Sequence, residues 1–213
     1  LITLYHCTDA RSFRCLWALE ELGLSYELKP MAFPPRLTTP SFLEVNPTGT
    51  IPWLQDDEVG LSESAAILEY LAVRHSPRGL AVAPDETGYA AWLQWLHFGE
   101  ASLTVPLATA LRWGMLERAE RRQPVVAEDY REQFLVRLAY LASSLMGRSY
   151  VAAERFTTAD ISVGYALMLS RMMGLQKSFP PSVQDYWGRL SERPAYRAAK
   201  ARQQSAQATA VAA

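Results

Sequence analysis

The stretch Asn46-Pro47-Thr48-Gly49-Thr50-Ile51-Pro52-Trp53-Leu54, followed by Leu61-Ser62-Glu63-Ser64, gathers residues able to hold a small polar ligand. Pro52 stands where a short strand begins, one of the few strand positions that tolerates a missing N–H. With a cis Ile51–Pro52 bond, the N–H and C=O of Ile51 would turn outward and pair with an extended peptide. Glu63 and Ser64 open the run Ala65-Ala66-Ile67-Leu68-Glu69-Tyr70-Leu71, which reads as a helix. Its first turn offers unpaired amides to an anion, and a serine hydroxyl beside them can share the load. Glu63 would accept from an ammonium group. Together these groups suit a small peptide bearing an α-amino acid head. A plainer alternative makes Ser62 or Ser64 a helix cap and Glu63 a favourable first-turn acid.

The elements around this stretch follow from local pattern. Leu1-Ile2-Thr3-Leu4-Tyr5 is nearly all apolar or β-branched and reads as a central strand, with Tyr5 packing in it. A loop, His6 to Arg11, leads to Ser12 and a helical run in which Cys15, Leu16, Leu19 and Leu22 share a face and Gly23 ends it. Ser25 to Leu28 returns as a strand. Met31 to Pro40 is a proline-rich loop, Ser41 to Val45 is at most a short helix, and strands flank a turn at Asp56-Asp57. The order is β-α-β, loop, β-β-α.

Composition narrows the function. The 213 residues carry 21 Lys plus Arg against 22 Asp plus Glu, a formal net charge of -1, so no basic face is implied and nucleic acid is not expected as a partner. Cys7 and Cys15 are too few for a disulfide scaffold, although one bridge between them is open. His6, His75 and His97 show no metal-ligand spacing, and no metal is expected. No charged-then-apolar leader and no bilayer-length apolar run occurs, so a soluble, cytoplasmic protein is expected, without membrane partners. Leu1 opens the sequence, and an initiator methionine is expected ahead of it.

Asn-Pro-x-Gly-x-Ile-Pro, a hairpin and a Glu-Ser helix start resemble the glutathione transferase family, and the resemblance extends over nearly the whole chain. It implies a thioredoxin-like N-terminal domain, an all-α C-terminal domain, and glutathione as co-substrate with no prosthetic group. It also implies that Ile51, before Pro52, pairs with the cysteinyl part of glutathione, while Glu63 and Ser64 hold its γ-glutamyl end. Thr50 and Arg11 are expected near the peptide. Thr50 stands where the family usually has lysine or arginine, so either affinity is lower or Arg11 and Arg36 take the task.

The same resemblance makes Ser12 the catalytic candidate. Bound glutathione must be a thiolate, and a hydroxyl at a helix N-terminus donates to sulfur in a field that favours the anion. Ser-x-Arg-x-Leu-Trp-x-Leu-Glu-Glu-Leu-Gly, from Ser12 to Gly23, is typical of bacterial members, but Ala10 stands where they often carry a further serine. The sulfur contact therefore stays open between Ser12 and its neighbours Thr8, Asp9 and Arg11, with a plain N-cap as the structural reading of Ser12. Cys15 is expected inside the helix as an inert thiol, whereas Cys7, nearer the loop, leaves thiol-transferase chemistry open.

Residues 77–86 read as a linker between a domain at 1–76 and an all-helical domain at 87–205. Tyr89 to Leu116 forms a long helix with Trp92, Trp95, Phe98 and Trp113 near helical spacing, and Pro106 should bend or break it. Val126 to Met146 carries the stripe Phe134, Leu138, Leu141 and Leu145. Thr157 and Asp160 form a capping box flanked by Phe156 and Ile161, a folding device of the kind the family shares. From Gln203 the chain is alanine and small polar residues with little to anchor it, and 206–213 is expected as a frayed tail. An electrophile pocket is expected from Leu103, Leu107, Leu111 and Trp113.

Three functions fit these readings. The first is a glutathione transferase that stabilises the thiolate for attack on an apolar electrophile. The second is a glutathione-dependent peroxidase, dehalogenase or isomerase, and the third a non-catalytic glutathione-binding member. The resemblance implies a homodimer.

Overall fold

The computed structural model describes the backbone of residues 1–212 and side chains through residue 206. In chain order the elements begin β1 (Ile2–His6), α1 (Ser12–Leu22), β2 (Tyr26–Pro30), α2 (Pro35–Thr38) and α3 (Phe42–Val45). They continue β3 (Trp53–Asp56), β4 (Val59–Leu61), α4 (Ser64–His75), α5 (Tyr89–His97), α6 (Val105–Leu111) and α7 (Pro124–Ser144). Last come α8 (Thr158–Met172), α9 (Pro181–Ser191) and α10 (Pro194–Ala212). Among the described residues no helix is long and apolar enough to cross a membrane.

Two compact units result. One joins Leu1–Ala81 to Ser191–Ala213, and the other is Val82–Leu190. The first unit differs from the sequence expectation in its last helix, which groups with the N-terminal domain. Pro194 does more than stop α9, because it opens α10 at a position where a missing N–H costs nothing. Gln203, expected where the chain loosens, is only 1% exposed. The rest of the frayed-tail expectation, beyond residue 206, falls outside the described side chains.

In the first unit the sheet order is β2-β1-β3-β4, with β1 parallel to β2 and the other pairs antiparallel. This is the thioredoxin-like arrangement. Ile2, Leu4 and His6 alternate inward along β1, as its central place requires. Gly23 ends α1 in the left-handed region at φ 62°.

The second unit is all helix. Tyr89 to Leu116 stays continuous, yet its turns widen to π-helix over Phe98–Thr104 and Arg112–Leu116. The first wide segment ends just before Pro106, which has no N–H for the carbonyl of Ser102. Arg137 of α7 donates to that carbonyl at 2.9 Å, so the orphan acceptor is satisfied. Gly99 lets this segment lie against α8, since a Cβ there would sit 2.6 Å from the Ser162 carbonyl carbon. Phe134, Leu138, Leu141 and Leu145 are buried as the stripe requires.

The capping box at Thr157 and Asp160 is present, and it is larger than the sequence suggests. Asp160 is fully buried and accepts from the amides of Thr157 and Val151, and from the hydroxyls of Thr157 and Tyr186. Burial pushes its carboxyl up to about 6 against these four donors, which favour the ionised form. Asp160→Asn turns an amide NH2 toward donors that need an acceptor. Chemical denaturation should show a loss of about 3 kcal/mol.

Candidate functional site

The Ile51–Pro52 bond is cis. Ile51 lies just ahead of β3, and among the described residues its backbone N–H and C=O have no hydrogen-bond partner. Beyond the hairpin, Glu63 occupies the left-handed region at φ 66°, ψ 106°, an uncommon conformation for a residue with a Cβ. Such backbone strain collects at ligand clamps, where the surroundings hold it in place. Glu63 is exposed and precedes α4 without a side-chain capping bond, and Ser62 makes none either. The first helical bond runs from Ile67 N–H to Glu63 C=O, leaving the amides of Ser64, Ala65 and Ala66 ahead of it.

Ser64 has a partner that sequence reasoning missed. Arg14 of α1 is 0% exposed, and its guanidinium donates to the Ser64 hydroxyl at 3.2 Å. A guanidinium stays charged under all ordinary conditions, so this places a buried cation beneath the start of α4. Ser64, already accepting, has only its own proton left to give. The signal was available, because Arg14 is the one cation in the otherwise apolar face of α1.

The turn before Ile51 is shaped by Asn46, which is buried. Its amide nitrogen donates to Thr50 C=O at 2.8 Å, and its oxygen accepts from Thr48 N–H and Thr48 Oγ1. Thr50 is exposed, and its hydroxyl is 2.7 Å from that of Thr48. Gly49 is required twice over, by φ 60° and because a Cβ would lie 2.8 Å from Arg36 Cβ and Leu43 Cδ2. The same contact seats exposed Arg36 one residue from Thr50. Arg11 is half-buried at the N-cap of α1.

Ser12 points into the first unit. It is 0% exposed and lies inside the first turn of α1, not at its cap. Its hydroxyl oxygen is 2.9 Å from His6 Nδ1, accepts from Cys7 N–H at 3.2 Å and lies 3.2 Å from Cys7 C=O. The hydroxyl expected to donate to sulfur braces β1 against α1 in this structure. Among the neighbours, Thr8 is exposed, and Asp9 and Arg11 are half-buried. Asp9 sits at φ 56° and accepts from Lys200 Nζ and Gln203 Nε2, each at 2.6 Å. Sequence reasoning passed over both α10 residues, since nothing local marks a helix that docks some 190 positions away.

Both cysteines are free and buried, including Cys7, expected nearer the surface. Burial pushes the Cys7 thiol up to about 12 and that of Cys15 higher still. Neither has the lowered pKa or the access that thiol-transferase chemistry needs. In the second unit, Leu103 and Leu107, expected as pocket wall, are 0% exposed and pack in the core. Leu111 and Trp113 are half-buried and remain able to meet a ligand.

Comparison with known proteins agrees with this geometry. Residues 1–73 match the family model of the glutathione S-transferase N-terminal domain. The chain is 31% identical over 189 residues to glutathione S-transferase 1 of Zea mays, covering 85% of this chain and 86% of that protein. The crystal structure of a glutathione transferase from Phanerochaete chrysosporium superposes with a TM-score of 0.86 at 27% identity, covering 98% of this chain and 96% of that one. A sphingomonad glutathione S-transferase solved in complex with glutathione gives a TM-score of 0.83 at 27% identity, covering 95% and 98%.

Two outcomes follow for the β1–α1 brace. Ser12→Ala leaves His6 Nδ1 and Cys7 N–H buried without their partner, and urea unfolding should show a loss of about 2 kcal/mol. Burial lowers the pKa of His6 from 6.5 to about 4. The unfolded chain therefore takes up this proton first, so stability is full above about 6.5 and falls as the pH drops toward 4. That drop should remove about 3 kcal/mol, and the His6→Gln variant should lack this share of the slope.

Proposed function

The chain belongs to the glutathione S-transferase family, and on that premise we propose that it binds glutathione and delivers its thiolate to an apolar electrophile. The observation that carries the reading is the unpartnered backbone of Ile51, an N–H and a C=O waiting beside Pro52 for an extended peptide. The cysteinyl residue of glutathione pairs there. Its γ-glutamyl carboxylate meets the first amides of α4 and the Ser64 proton, with the Arg14 cation behind them. Glu63 takes the ammonium. Arg36, beside the Gly49 turn, supplies the positive charge that Thr50 lacks.

The sulfur then lies toward the β1–α1 loop, where the N-terminus of α1 favours an anion. Thr8, Arg11 or a loop amide donates to it, in place of Ser12. Holding the sulfur ionised and oriented is the catalytic act. The lone pair of the thiolate forms the new bond to the electrophilic carbon, and the leaving group departs with its electron pair.

Ultraviolet titration of the thiolate in the glutathione complex tests the reading. A thiol pKa well below that of free glutathione is the expected result. Binding without that lowering would make the chain a non-catalytic member, and absence of binding would overturn glutathione as the ligand. Glu63→Gln should weaken binding roughly tenfold, or about 1.4 kcal/mol, while leaving the thiol pKa of the bound peptide in place.

A further inference from the structure

We propose that the C-terminal helix α10 positions the sulfur-binding loop, with Gln203 and Lys200 holding residues 8–11 in the shape that activates the thiol. The assignment rests on the glutathione reading above and adds a part of the chain that reading does not use. Gln203 is 1% exposed, and its carboxamide meets three groups. Its nitrogen donates to Asp9 Oδ1 at 2.6 Å, and its oxygen accepts from Asp9 N–H at 3.2 Å. The same oxygen lies 3.2 Å from His6 Nε2. Lys200 adds its ammonium to Asp9 Oδ1 at 2.6 Å.

These contacts determine where a proton sits. Because Asp9 fixes which end of the carboxamide is oxygen, His6 Nε2 must be the donor, and Nδ1 is left as a lone pair. The Ser12 hydroxyl, 2.9 Å from Nδ1, then gives its proton to His6 and none outward. The loop following β1 is therefore tied at both ends, by Asp9 to α10 and by Ser12 to His6.

The helix that supplies these ties is itself firmly seated on α1. Arg193 makes two hydrogen bonds to Glu21, at 2.6 and 2.8 Å. The ring of Tyr196 stands edge-on to Trp17 and Phe13, with centroids 5.0 and 5.6 Å away. Gln203 and Lys200 are positioning residues. They act on the sulfur through Asp9 and His6, and loss of their hydrogen bonds should appear in the chemistry more than in peptide binding.

The test uses the full chain with Gln203→Met, Lys200→Met and Lys200→Arg. Ring nitrogen NMR of His6 should show the Nε2–H tautomer in the wild type and a mixture in Gln203→Met. In both methionine variants the thiol pKa of bound glutathione should rise toward the free value and kcat should fall about tenfold. Their dissociation constants for glutathione should stay within about threefold of wild type, since Ile51, Glu63 and Ser64 are untouched. Lys200→Arg, which keeps the cation, should keep the wild-type thiol pKa. Should Gln203→Met not fold, the Lys200 pair decides alone. Methionine variants that bind glutathione with unchanged thiol pKa and kcat overturn the positioning role, as does an Nδ1–H tautomer in the wild type. A wild type that binds no glutathione overturns the functional reading itself, a result visible before any variant is made.

Discussion

The carboxamide of Gln203 can sit only one way round, because Asp9 offers a carboxylate to its nitrogen and an N–H to its oxygen. Everything at the end of β1 inherits that choice. His6, 1% exposed, must present a proton to Gln203 and a lone pair to Ser12. Ser12 must then point inward, and the start of α1 is pinned to the end of β1. Reversing any one member would leave a buried donor facing a donor, at about 1–3 kcal/mol per unmatched group. Three side chains from three elements thus share one consistent pattern of protons.

The two halves of the ligand cradle stand on different supports. Ile51, Glu63 and Ser64 rest on sheet and helix: β3 pairs with central β1, and α4 packs on α1. Their geometry is held by the core of the first unit. Residues 8–11 are a loop with no sheet partner, and they depend on side-chain ties to α10. On the proposed reading, recognition by rigid elements and activation by a braced loop would be separable, so that the loop could vary in chemistry while the peptide stays in register.

Much of both units was legible in the sequence because the cues are local. Proline at a strand mouth, Gly49 in a tight turn, Gly23 after α1 and the Thr157-Asp160 spacing each act within a few residues. The cis bond at Pro52 met the condition on which the Ile51 reading depended. What stayed hidden was set by distant partners. Ser12 looks like a helix cap until His6 and the Cys7 backbone engage its hydroxyl. Leu103 and Leu107 share a helical stripe whether they line a pocket or fill a core, and only their complete burial decides. Gln203 opens a tail of small polar residues and alanine whose composition reads as loose, yet one buried amide and the Arg193 pair anchor the helix it belongs to.

Arg14 bears on what the cradle selects. A guanidinium cannot shed its proton, so burying it requires groups that complement a permanent positive charge. It lies under the N-terminus of α4, where the helix end is already positive. Ser64, accepting from the cation, becomes a stronger donor in this low-dielectric setting. A simple amine arriving here would be disfavoured by the positive helix end. A simple carboxylate would be drawn to it but would meet the negative charge of Glu63 on the adjoining residue. An α-amino acid head carries both charges on one carbon, and its zwitterion can satisfy the two neighbours at once. On the proposed reading, selection at this end would be electrostatic, set by the amides that open α4 and by the carboxylate of the strained residue before it.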